Sequence, residues 1–82
     1  MLKPVVLKIE EIYVPTEHRK KLDPERVASL AEAIMEEAEE TPIHVRRGKG
    51  RYVLIKGVHR LEARKALGEE TLKALIVGAR QF

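Results

Sequence analysis

The stretch that most constrains this chain is Arg51-Tyr52-Val53-Leu54-Ile55-Lys56-Gly57-Val58-His59-Arg60-Leu61-Glu62-Ala63-Arg64. Arg51 to Ile55 is aromatic and β-branched between turn signals, the pattern of a strand. Gly57 interrupts it. Val58 to Leu67 is rich in Leu, Glu, Arg, Lys and Ala and suits a helix, and Ala66-Leu67-Gly68 sets a glycine just past its last turn. Gly57 to Arg60 is therefore predicted at a helix N-terminus. The first N–H groups of a helix have no partner within it, and the peptide dipoles add about half a positive charge there. With His59 and Arg60 beside those amides, a phosphate could receive backbone, imidazole and bidentate guanidinium contacts together. A glycine kept for backbone geometry, with a solvated Arg60 behind it, fits the same letters and is the plain alternative.

Before this junction, Val5 to Ile9 reads as a strand, with a short continuation at Ile12-Tyr13-Val14 that Pro15 ends. Thr16-Glu17-His18-Arg19-Lys20-Lys21 is a polar loop, either solvated or facing a ligand, and Arg19 is its candidate contact. Asp23-Pro24 starts a helix: a carboxylate N-cap, proline at the first helical position and Glu25 in the first turn. The helix should run to about Glu37 or Ala38. Val27, Leu30, Ala31, Ile34 and Ala38 form its buried stripe, leaving Arg26, Glu32, Glu36 and Glu37 outside. Arg26 and Ser29, three apart, are neighbours on the helix surface and either share a ligand or are solvated separately.

Pro42 bars helical continuation and favours an extended Thr41. Ile43 to Arg46 alternates apolar and polar, Arg47-Gly48-Lys49-Gly50 turns, and Arg51 to Ile55 returns, so the pair is predicted as an antiparallel hairpin. Gly48-Lys49-Gly50 is no phosphate loop, because it lacks the GxxxxGK[ST] spacing and leads into a strand. Thr71 to Val77 reads as a last strand and Gly78 to Phe82 as a tail. The order is strand, helix, hairpin, helix, strand, a mixed α/β (α+β) fold with a small curved sheet under two main helices.

At 82 residues the chain is predicted to be one domain over 1–82, with a core of Val, Ile, Leu and Ala since only Tyr13, Tyr52 and Phe82 are aromatic. Hydrophobic residues at 44% and charged ones at 35% exclude a disordered chain and a membrane-embedded one. No signal peptide or membrane span is read, and a chain without cysteine fits a cytoplasmic location. The net charge of +3 favours phosphate-bearing partners. Absence of cysteine also excludes a thiol nucleophile and thiolate metal sites. His59 and Glu62 make an H-x-x-E, but only His18 and His44 remain as further imidazoles, on a loop and a strand, so no metal site is predicted. Ser29, the only serine, lies within a helix and outside any G-x-S-x-G elbow. Glu62, one turn into its helix, is the candidate catalytic group, as a magnesium ligand or base, against a surface pair with Lys65 or an arginine.

Three segments, Leu22-Asp23-Pro24-Glu25-Arg26-Val27-Ala28-Ser29-Leu30-Ala31-Glu32-Ala33-Ile34, Thr41-Pro42-Ile43-His44-Val45 and Arg51 to Ala63, together resemble the ParB N-terminal/sulfiredoxin superfamily. Gly57-Val58-His59-Arg60 is similar to the G-C-H-R of sulfiredoxins and the G-E-R-R of ParB proteins. The resemblance spans nearly the whole chain. It implies a nucleotide site in which Gly57, His59 and Arg60 hold phosphates and Arg26 and Ser29 add helix contacts; Val58 of the same turn and Arg19 of the polar loop complete the expected nucleotide-binding residues. In that superfamily the pocket serves ATP, CTP or ADP chemistry, so the implied cofactor is ATP or CTP with magnesium, and the implied activity a nucleotide hydrolase or phosphotransferase. Val58 stands where sulfiredoxins carry the catalytic cysteine, which excludes reduction of cysteine sulfinic acid. Valine also replaces the ParB glutamate, and Ala33 stands where sulfiredoxins offer a hydroxyl, which leaves base and sugar contacts open. The alternative is a non-catalytic nucleic-acid-binding module related to chromosome partitioning, using Arg19, Lys20, Arg46, Arg47, Lys49 and Arg51 on DNA phosphates. A third reading is a protein-interaction unit.

Overall fold

Strand β1 (Val5–Lys8) runs into a single 3-10 turn at Ile9–Glu11 and then into β2 (Ile12–Tyr13). The computed structural model of the chain describes residues 3–37 and 40–78. After β2 come α1 (Thr16–Arg19), α2 (Pro24–Met35), β3 (Ile43–Arg47), β4 (Tyr52–Lys56), α3 (Val58–Ala66) and β5 (Thr71–Ile76). The expected helix residue Ala38 and the tail from Ala79 to Phe82 lie outside the described residues.

The five strands form one mixed sheet in the order β1-β5-β3-β4-β2. β1 pairs with β5 and β3 with β4 in antiparallel sense, whereas β3 with β5 and β2 with β4 are parallel. The predicted hairpin is therefore present, with an irregular register between His44 and Val45. Ile12-Tyr13, expected as a continuation of the first strand, lies instead at the opposite edge of the sheet. That placement dictates the sheet's shape. Four inter-strand steps of about 4.8 Å would separate the edges of a flat sheet, while a three-residue 3-10 turn spans only about 6 Å. The sheet must therefore curl until its edges approach.

The concave side holds the core. Leu7 and Ile12, from the two edge strands, join Val14, Ile43, Val45, Leu54, Leu72 and Ala74 in one cluster, and α3 adds Val58 and Leu61. α3 lies against the sheet by β3, and α2 packs chiefly on α3. Three residues of α3 are buried, Val58, Leu61 and Ala63, but of α2 only Ile34 is.

Asp23 caps α2 as its sequence predicts: a carboxylate oxygen accepts the Glu25 N–H at 3.0 Å, with Pro24 next. α2 ends at Met35, two residues short of Glu37, the nearer of the two expected ends. Two glutamates at the negative end of the helix oppose further winding, and Glu37 turns left-handed at φ 60°, a role that glycine usually fills. The expected loop at Thr16 begins with one helical turn, α1, whose N-cap is Pro15.

Candidate functional site

β4 delivers the chain to Gly57 at the end of a core strand, and Gly57 turns it into α3. Two observations make glycine necessary. Its φ is 107°, left-handed, and a Cβ there would stand 2.7 Å from the Ile43 Cγ2. Ile43 is 1% exposed, so its side chain has nowhere to retreat. As the N-cap, Gly57 offers no side chain to the helix start. The first α-helical bond closes from the Leu61 N–H to the Gly57 carbonyl at 3.0 Å, which leaves the Val58 and His59 amides ahead of the ladder.

Val58 is buried and anchors the turn in the core, while His59 and Arg60 are half-buried. His59 is held from the other helix. Its Nε2 accepts the backbone N–H of Asp23 at 3.1 Å. In many helices a glutamate at the third position closes the N-cap amide; here that position is Arg26, and His59 serves instead. A ring accepting at Nε2 carries its proton at Nδ1, so Nδ1–H is the donor left to the ring.

A cleft of about 260 Å³ opens over this turn, lined by His18, Lys21, Arg26, Leu30, Ile55, Lys56, Gly57, Val58, His59 and Arg60. Five candidate residues thus come together: Gly57, Val58, His59, Arg60 and, from α2, Arg26. Ser29 and Arg19 do not line this cleft, although Arg19 belongs to α1, the same short helix that supplies His18. Glu62 lies elsewhere. It borders an apolar groove with Leu22, Pro24, Val27 and Ala66, and its carboxylate meets the Lys65 ammonium at 3.5 Å.

Lys21, Lys56 and His18 line the cleft without having been singled out from the sequence. Lys56 had a local signal, as the last strand residue before Gly57. Lys21 and His18 belong to the polar run 16–21, which the sequence left as either solvated or facing a ligand with Arg19 as its candidate; the structure puts these two of its members, rather than Arg19, in the cleft. No group of three or more metal-ligating side chains occurs among the described residues. Nor is any described helix long and apolar enough to cross a membrane.

The family model of the ParB N-terminal domain matches residues 3–81. The chain belongs to the ParB N-terminal domain family. This ParB_N chain is also similar to sulfiredoxin from Arabidopsis thaliana, with 30% identity and a TM-score of 0.82 over 94% of this chain and 86% of that one. It has the fold of a C-terminally truncated chromosome-partitioning protein ParB from Caulobacter crescentus, complexed with CTP-gamma-S, at 22% identity and a TM-score of 0.80. That match covers 96% of this chain but 46% of the other. A free serine kinase in complex with AMP shares the fold at 15% identity and a TM-score of 0.74, over 90% of this chain and 30% of the kinase. The chain thus spans most of a sulfiredoxin but less than half of the other two. No curated protein sequence matches it. The ParB_N chain itself has no cysteine, so it lacks the thiol that sulfinic acid reduction would use.

Proposed function

We propose that this ParB_N domain binds a nucleotide, ATP or CTP, with its phosphates over the start of α3. The observation that carries the reading is the convergence of Arg26, from α2, on the Gly57–Arg60 turn in one cleft. The Val58 and His59 amides and the helix dipole favour an anion there, and Arg26 and Arg60 add guanidinium groups able to bond phosphate oxygens in pairs. Similarity to folds whose solved forms hold CTP-gamma-S and AMP supports the same reading. A cleft of about 260 Å³ is smaller than most pockets for whole drug-sized ligands. It suits the phosphate tail, with base and sugar lying toward Leu30 and Ile55 at its border. Glu62 stands outside the cleft beside Lys65, so the proposal is of binding and assigns that residue no step.

Thermal unfolding with ATP, CTP, ADP and GTP tests it, beside an Arg60→Ala variant. A ligand at 100 times its dissociation constant stabilises by about 2.7 kcal/mol, several degrees in a domain of this size. One or more nucleotides should raise the midpoint, and Arg60→Ala should abolish most of the rise. Absence of any rise with all four would overturn the reading.

A second reading, DNA binding, has one observation in its favour. Arg47 sits over the Tyr52 ring at 5.9 Å and Arg51 over the Tyr13 ring at 4.1 Å, so two guanidinium groups of the hairpin are held on aromatic faces. Affinity for DNA that falls steeply with salt, whatever the sequence, would favour it.

A further inference from the structure

The cleft over Gly57 differs from its neighbours in its charged lining, since theirs mixes carboxylates with lysine or arginine. The chain has 13 aspartates and glutamates. One neighbouring cleft is bordered by Glu37, Glu40 and Glu69, another by Glu10, Glu69 and Glu70, and the groove beneath α3 by Glu62. Among the described residues no carboxylate lines the cleft over Gly57: Lys21, Arg26, Lys56 and Arg60 supply its charge, His18 and His59 its remaining ionisable groups.

Magnesium is held by oxygen ligands, typically one or two carboxylates together with substrate phosphates. No described residue of this lining offers a carboxylate as the protein's share. The position nearest the turn that might have done so is occupied by Val58, whose side chain is committed to the core. Ammonium and guanidinium groups meanwhile do what a divalent cation otherwise does for a polyphosphate, which is to balance its charge. The terminal phosphate of such a ligand alone carries about −1.5 to −2 at pH 7, and four cationic side chains face it here. A bound Mg²⁺ would cancel part of the ligand's charge and so weaken its attraction to every one of them.

We infer that this cleft takes its nucleoside di- or triphosphate as the metal-free anion, with Lys21, Arg26 and Lys56 in the place of the divalent cation. The inference rests on the nucleotide reading above and sharpens it: the site is a receptor for the uncomplexed polyphosphate, and magnesium competes with the protein for the ligand. The chemistry recognised is the phosphate chain, so inorganic tripolyphosphate should occupy the same cleft.

Calorimetric titration of the full chain with ATP, CTP, ADP and tripolyphosphate, in excess EDTA and again in excess MgCl₂, distinguishes the outcomes. Binding in EDTA should be tighter than in magnesium by about fivefold, the worth of one good partly exposed ion pair. Lys56→Ala should weaken binding in EDTA by a similar factor and narrow the gap between the two buffers. Its folding is checked by an unchanged unfolding midpoint without ligand. Binding that appears only with magnesium, or is tighter with it, overturns the inference and leaves the nucleotide reading standing. No binding of any of the four ligands in either buffer overturns both.

Discussion

α2 and α3 begin one hydrogen bond apart, Asp23 N–H to His59 Nε2, yet their first turns are completed in opposite ways. α2 brings its own anion. The Asp23 carboxylate accepts the Glu25 amide, Pro24 has no N–H to satisfy, and Glu25 lies on the positive end of the dipole. α3 has glycine at its N-cap, no acidic residue in its first turn, and cationic residues around it. The same physics governs both ends. Where the chain supplies the negative charge the helix start is a structural joint; where it supplies none, and adds arginine and lysine, it is a place for a charge from outside.

Substitutions at the two caps should therefore fail in different ways. Gly57→Ala should have the largest effect, since it forces a left-handed φ on an L-residue and drives a methyl group against Ile43. Together these cost about 3 kcal/mol, and the unfolding midpoint should fall by more than about 10 °C. Such a variant that melts like the parent would show that the turn relaxes, and that the glycine is not required by the backbone. Asp23→Ala should cost about 1 kcal/mol, the usual loss for an N-cap. Its nucleotide-induced rise in midpoint should survive, because the α3 start is untouched; loss of that rise would make the two helix starts one coupled unit. Glu62→Gln should do least. It removes an exposed i, i+3 pair with Lys65 worth about 0.3 kcal/mol, and nucleotide affinity should not move. A large fall in affinity would bring Glu62 back into the site.

The contrast between the two caps was largely legible in the sequence, because caps are local. Asp23-Pro24-Glu25 and Gly57-Val58-His59-Arg60 each carry their meaning within four residues, and the helix starts fall where those letters place them. The strand pattern was legible for the same reason. What could not be read was pairing between distant segments. Alternation in Ile12-Tyr13-Val14 shows a strand but not its neighbour, and only the fold reveals that it joins β4 across the sheet from β1. The curl of the sheet follows from that one placement. His59 teaches the same lesson within the site. Its residue type and position suggested a phosphate donor, whereas its bond to Asp23, 36 residues away, assigns one ring nitrogen to holding the two helices together. His18 reaches the cleft from α1, a turn of helix that a run of polar residues did not announce, and Lys21 from the turn that follows it.

The most direct test of the open helix start is a ¹⁵N–¹H correlation spectrum of the domain during titration with ATP. Binding at that start predicts the largest shifts at the Val58 and His59 amides, with smaller changes at Arg26 and Lys56 and little at the capped Glu25 amide. Shifts concentrated on the Arg46–Arg51 hairpin, or none at saturating nucleotide, would contradict it.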